Sequence, residues 1–104
     1  MIIPLPAKVK IGAHIYSIAV SQELTQAKEQ GVICHRPQIM RVADDLTPSK
    51  LLHVFLHEAL HAINYIWIST DLEEKIIDQL SEGMAALLVD NFNIEGMNYA
   101  RETL

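Results

Sequence analysis

A chain of 104 residues, half of them apolar and a fifth charged, has the composition of one globular domain with a single core (residues 1–104) and leaves no room for two lobes. The net charge of −5, with no clustered lysines or arginines, argues against nucleic acid or an anionic membrane as partner and favours basic or neutral peptide segments. Cys34 is the only cysteine, so there is no disulfide framework and no paired-thiol metal site.

The first residues, Met1 to Lys8, lack a basic leader followed by an apolar stretch, so no secretion signal is expected and a cytoplasmic, reducing location follows by default. Val9–Val20 alternates loosely and is rich in β-branched residues, which predicts one strand or a hairpin bent at Gly12. Ser21–Gln30 is polar and reads as a short helix or a loop. Val32–His35 and Ile39–Val42 flank Arg36-Pro37-Gln38, the pattern of a hairpin turning at Pro37.

Asp44–Lys50 has the character of a helix start. Thr47 is placed to cap with Pro48 in the first helical position, and Ser49 is the competing cap. The helix should run to about Ser69, where Ser69-Thr70-Asp71 breaks it. Its residues Leu51, Leu52, Val54, Phe55, Leu56, Ala59, Leu60, Ala62, Ile63, Ile66 and Trp67 make it apolar almost all round, the mark of a buried helix. The interruptions at His53, His57, Glu58, His61 and Asn64 exclude a membrane span. A second helix is expected from about Asp71 to Asn91, with Leu72, Ile76, Ile77, Leu80, Met84, Leu87 and Leu88 as its apolar stripe. The tail from Asn91 to Leu104 carries Gly96 and no clear period, so it is either a short helix or a loosely docked end that could cover a cleft. Strands precede two helices joined by a short break, an α+β arrangement: a small antiparallel sheet, then two antiparallel helices.

The chemistry lies in His57-Glu58-Ala59-Leu60-His61, an H-E-x-x-H pattern inside the first long helix. Residues four apart on a helix share a face about 6 Å apart along the axis, so two imidazoles can each place a ring nitrogen on one Zn²⁺. Glu58 sits beside them, where its carboxylate can reach a metal-bound water and act as general base. Polar groups in so apolar a helix need partners or a metal, because unpaired burial is costly.

A hydrolytic zinc site commonly takes a third protein ligand. Glu74, Asp78 and Glu82 share one face of the second helix. Counting from the turn near Thr70 puts Asp78 level with His61, whereas Glu74 is nearer the turn but has the longer arm. The count leaves both open; the resemblance of Glu74-x-x-x-Asp78 to the motif of thermolysin-like zincins implies Glu74 as ligand with Asp78 orienting a histidine, and Asp78 as ligand is the alternative. Cys34 would complete a Cys-His-His set like that of peptide deformylases, but a buried structural thiol is the simpler role. His14 and His35 read as surface or strand histidines; His53, one turn before His57, is placed to line the cleft.

The chain resembles the small phage- and prophage-encoded zincin-like metallopeptidases. The resemblance rests on Leu51–Ile63 around the H-E-x-x-H block, with support from Lys8–Gly12 and Tyr16, Gly31–Cys34, Ile39–Val42, Glu73–Met84 and Asp90-Asn91. Glu74-x-x-x-Asp78 is similar to the E-x-x-x-D of thermolysin-like zincins. Glu74, Ile77, Leu80 and Ser81 are similar in placement to the second-helix motif of the more distant ImmA/IrrE peptidases. The resemblance implies a minimal gluzincin-type domain in which His57, His61 and Glu74 bind Zn²⁺ and Glu58 is the base. It implies hydrolysis of a peptide or protein substrate held along an edge strand, for which Ile39–Val42 is the candidate. The rival expectation is a non-catalytic, zinc-stabilised module that binds a protein through the same groove. The oligomeric state is left open.

Overall fold

The structure is a computed structural model and describes residues 1–99. Its elements are β1 (Ile2–Pro4), β2 (Lys8–Ile11), β3 (His14–Ser21), α1 (Gln22–Gln26), β4 (Gly31–Cys34), β5 (Ile39–Ala43), α2 (Pro48–Trp67), α3 (Glu74–Asn91) and β6 (Gly96–Asn98). The α+β class stands, with strands in two small sheets and three helices.

The predicted hairpins form. β2 and β3 are antiparallel, with Ile11 opposite His14 across the two residues Gly12 and Ala13. Gly12 takes the left-handed conformation (φ 62°), and a side chain there would also press on the Trp67 ring, so the bend needs glycine. β4 and β5 are antiparallel from Gly31↔Val42 to Cys34↔Ile39. Their connection turns with Gln38, not Pro37, in the left-handed region.

The strand directions, the candidate edge strand and the tail need correction. The main sheet has the order β2-β3-β5-β4, and β3 pairs with β5 in parallel, so it is mixed rather than antiparallel. The parallel pair is possible because α1 and β4 supply the crossover that parallel strands require. It also places β5 inside the sheet, so Ile39–Val42 is not an edge; β4 is. A second sheet was not foreseen at all: β1 pairs with β6 in parallel, Ile2 opposite Gly96. The tail up to Asn98 is therefore a strand, not a short helix. Tyr99 donates its hydroxyl to the Ala43 carbonyl and accepts from Leu46 N–H at 2.8 Å, tying that end to the start of α2. Whether residues 100–104 cover a cleft lies outside the described residues.

α2 packs across the main sheet and against β6. Leu51, Leu52 and Val54 join Leu5, Val42 and Met97 in one core cluster; Ala62 joins Ile11 and Tyr16 in another. Thr47 occupies the cap position with Pro48 in the first turn, although its hydroxyl makes no capping hydrogen bond. The helix is buried toward the sheet and partly covered by α3 on the side of His53, His57 and His61, and Tyr65 and Trp67 are exposed.

α3 starts at Glu74, three residues later than expected. Residues 68–73 are held instead by Asn64, a buried side chain of α2. Its Nδ2 donates to the Thr70 carbonyl and its Oδ1 accepts from Leu72 N–H, each at 2.9 Å. The inward face of α3 is carried by Ile77 and Ser81, both fully buried, with Leu88 half-buried. The expected stripe is wrong for Ile76, Leu80, Met84 and Leu87, which are exposed. The two stripes cannot be told apart by period alone, because both recur every three to four residues. No helix of the described residues is long and apolar enough to cross a membrane.

Candidate metal centre

His57 and His61 lie one turn apart on α2 with their Nε2 atoms 3.3 Å apart. Glu74, the first residue of α3, reaches across to both: its carboxylate oxygens stand 2.5 Å from His57 Nε2 and 2.9 Å from His61 Nε2. One ligand atom from each of the three lies within 4.8 Å of the others. Two nitrogens at about 2.0–2.1 Å from a tetrahedral ion would be roughly 3.3–3.4 Å apart, so the histidine pair already has the spacing a zinc ion requires. The donor set of two imidazoles and one carboxylate suits the same ion.

Asp78 approaches from the other side. Its Oδ1 is 3.1 Å from His57 Nδ1 and 3.4 Å from His53 Nε2. If His57 Nδ1 carries the proton, Asp78 accepts it and leaves Nε2 with a free lone pair toward Glu74. His53, His57 and Asp78 also meet the spacing for a metal, but that grouping would draw on the Nδ1 that Asp78 already engages. His53 Nε2 is buried and, among the described residues, forms no hydrogen bond of good geometry.

These contacts descend α3 as they ascend α2: His53 and His57 meet Asp78, while His57 and His61 meet Glu74. Asp78 is thus level with His53 and His57, not with His61 as a count from the turn suggests. The count fails because residues 68–73 are not helical: they run back along α2 as far as Asn64, covering more length per residue than a helix, and so carry Glu74 and Asp78 deeper. Glu82 belongs to neither group, and nor does Cys34, which is half-buried rather than buried.

Glu58 is 7 % exposed and lines a cleft of about 610 Å³ together with His53, His57, His61, Glu74 and Asp78. It makes no hydrogen bond to a described residue. Burial pushes its carboxyl up to about 7; nearby His57 pulls it down and Glu74 adds to the rise. Gly31 on the edge strand β4 leaves the space it fills: a Cβ there would be 2.7 Å from Val54 Cγ1 and 3.0 Å from Glu58 Oε2.

One group on the cleft wall escaped the sequence reading. His35 lies beyond β4, stacked on Tyr65 with ring centres 4.2 Å apart, and its Nδ1 is 3.1 Å from the buried Tyr16 hydroxyl. Burial, and to a lesser degree His61, lowers the His35 pKa, and burial raises that of Tyr16. Tyr16 therefore stays protonated and is the natural donor to a neutral His35, whose Nε2–H is left for the cleft. The available signal was Tyr65, four residues past His61 and so on the same helical face.

No protein family matches the chain, and no curated protein or solved structure matches it either.

Proposed function

We propose that this protein is a zinc-dependent peptide hydrolase of the phage or prophage type, with a minimal zincin-like domain, acting in the cytoplasm. The observation that carries the reading is the convergence of His57 Nε2, His61 Nε2 and the Glu74 carboxylate beside Glu58, which lines the same cleft and has no hydrogen-bond partner among the described residues. His57, His61 and Glu74 would hold the ion, with Asp78 fixing the His57 ring. Zinc bound there would supply Lewis acidity toward a water and a peptide carbonyl.

The chain's own groups supply the rest. Glu58 takes the proton of the attacking water and delivers it to the departing amine as the C–N bond breaks, so it begins and ends the cycle ionised. Its raised pKa favours the protonated stage of that exchange. β4 pairs with the sheet through β5 alone, and Gly31, Val32 and Ile33 line the cleft, so its free edge can hold an extended peptide by backbone hydrogen bonds with loose sequence preference. Glu58 favours a hydrolase over a purely binding module, because its carboxylate opens into the cleft beside His57, His61 and Glu74 and is not tied up by a hydrogen bond to a described residue.

The test is a pair of measurements on wild type and Glu58→Gln. Both should take up one zinc per chain, measured by metal analysis after gel filtration. Only wild type should cleave a mixed-sequence quenched peptide library. Undiminished cleavage by the variant would remove Glu58 from the mechanism, and failure of both proteins to retain zinc would remove the metal.

A further inference from the structure

His53, His57 and His61 follow one another at intervals of four, so three imidazoles stand along one face of α2. The proposed metal centre uses two of them. His53 is left over, yet its side chain is only 17 % exposed, and its Nε2 is buried without a well-formed hydrogen bond among the described residues. The group facing that nitrogen is the Asp78 carboxylate, whose Oδ1 is 3.4 Å away. The same Oδ1 is 3.1 Å from His57 Nδ1. His53 and His57 thus approach one oxygen from successive turns of α2, their rings edge to face with centres 6.4 Å apart.

The place of the His53 proton follows from that contact. A neutral imidazole carries one N–H, on Nε2 or on Nδ1. With the proton on Nδ1, the buried Nε2 lone pair would face a carboxylate oxygen, a costly pairing of two acceptors. With the proton on Nε2, the same contact joins donor to acceptor, a few tenths of an ångström beyond the usual hydrogen-bond length. Asp78 gains as well. Its backbone is fixed by Ser81, whose Oγ donates to the Asp78 carbonyl at 2.7 Å, but its side chain is 47 % exposed. One donor leaves such a carboxylate free to swing toward water. Two donors on neighbouring turns of one helix fix its direction.

We propose that His53 is a positioning residue: its Nε2–H holds the Asp78 carboxylate against His57 Nδ1 and so fixes the ring whose Nε2 faces Glu74 and His61. The effect on zinc rests on the proposed metal centre, whereas the hydrogen bond itself does not. Losing a partner that hydrogen-bonds a ligand histidine costs about 10- to 100-fold in metal affinity. His53 acts one bond further out, so its share should be smaller, about three- to tenfold.

Two measurements on the full chain test this. In the first, ring-labelled histidines are read by ¹H–¹⁵N NMR at about pH 8, where an ordinary imidazole is neutral. The His53 proton should sit on Nε2 as a resolved downfield resonance, with or without zinc, and Asp78→Ala should shift it upfield or lose it to exchange with water. A proton on Nδ1, or an Nε2 proton indifferent to Asp78→Ala, would overturn the proposal. The second measurement is a competitive chelator titration. His53→Phe should weaken zinc binding about three- to tenfold, and His53→Gln, which keeps a donor near the same place, should recover most of the loss. In an Asp78→Ala chain, His53→Phe should cost less than about twofold more, because the residue it acts through is already gone. Equal losses in both backgrounds, wild-type affinity in His53→Phe, or a second zinc bound at His53 would each overturn the positioning role. A wild-type chain that retains no zinc would remove the metal centre, and the NMR result would then decide the hydrogen bond by itself.

Discussion

Asn64 offers the sharpest quantitative test of how α3 is held. Its amide bridges Thr70 and Leu72 from inside the protein and fixes the six residues that decide where Glu74 begins. Asn64→Ala removes both hydrogen bonds. At a net value of about 1 kcal/mol each, with a little lost packing, the expected destabilisation is about 2–3 kcal/mol. Thr70 is exposed and Leu72 half-buried, so water can reach the freed partners and the cost should not climb much further. In a domain of this size the change corresponds to a fall in Tm of roughly 10 °C or more. Asn64→Asp supplies an internal control. It keeps the acceptor for Leu72 N–H but sets a carboxylate oxygen against the Thr70 carbonyl. It should therefore lose about as much as alanine at neutral pH and regain part of the loss once the carboxyl is protonated. Urea unfolding of the three chains at neutral and acid pH measures all of this. A cost below about 0.5 kcal/mol for Asn64→Ala would refute the staple and leave helix packing alone to place α3.

The remaining predictions concern the cleft. Chelator-treated wild type should lose stability as pH rises from about 4.5 through about 7, because the folded state favours protonated Glu58. Glu58→Gln should lack that slope and be the more stable above pH 7, by up to about 3 kcal/mol, as read by thermal unfolding across pH. Asp78→Asn should weaken zinc binding by roughly 10- to 100-fold in a competitive chelator titration, and Glu74→Gln should weaken it more. The opposite order would exchange the two roles. Gly31→Ala should cost about 1–3 kcal/mol in denaturant unfolding, as its Cβ drives into Val54 and Glu58, and should lower peptide cleavage.

What could be read in advance tracks how local the controlling interactions are. Both hairpins, the start of α2 and its length follow from neighbouring residues: Gly12 at a bend, Pro48 in a first turn, alternation in β2 to β5. His57 and His61 were legible for the same reason, since one helix fixes their spacing. The β3·β5 pairing joins segments separated by a whole hairpin arm and a helix, and nothing in Ser17–Ser21 announces Ile39–Ala43 as its partner. The outward stripe of α3 misled because apolar residues three to four apart look the same whether they face the core or the outside. The level of Asp78 misled because a hydrogen-bonded loop held by Asn64 stood where helix was expected.

The pairing of β1 with β6 has a kinetic side. Ile2 and Gly96 come from opposite ends of the described chain, so their contact closes a loop of nearly the full length and depends on everything between being in place. The α2–α3 pair, by contrast, closes over six residues. β1 and β6 should therefore join late in folding and open early under mild denaturant, their amides exchanging with solvent sooner than those of α2. The residues around His57 and Glu74 fall in the region that assembles first, and would remain together after the ends of the described chain have parted.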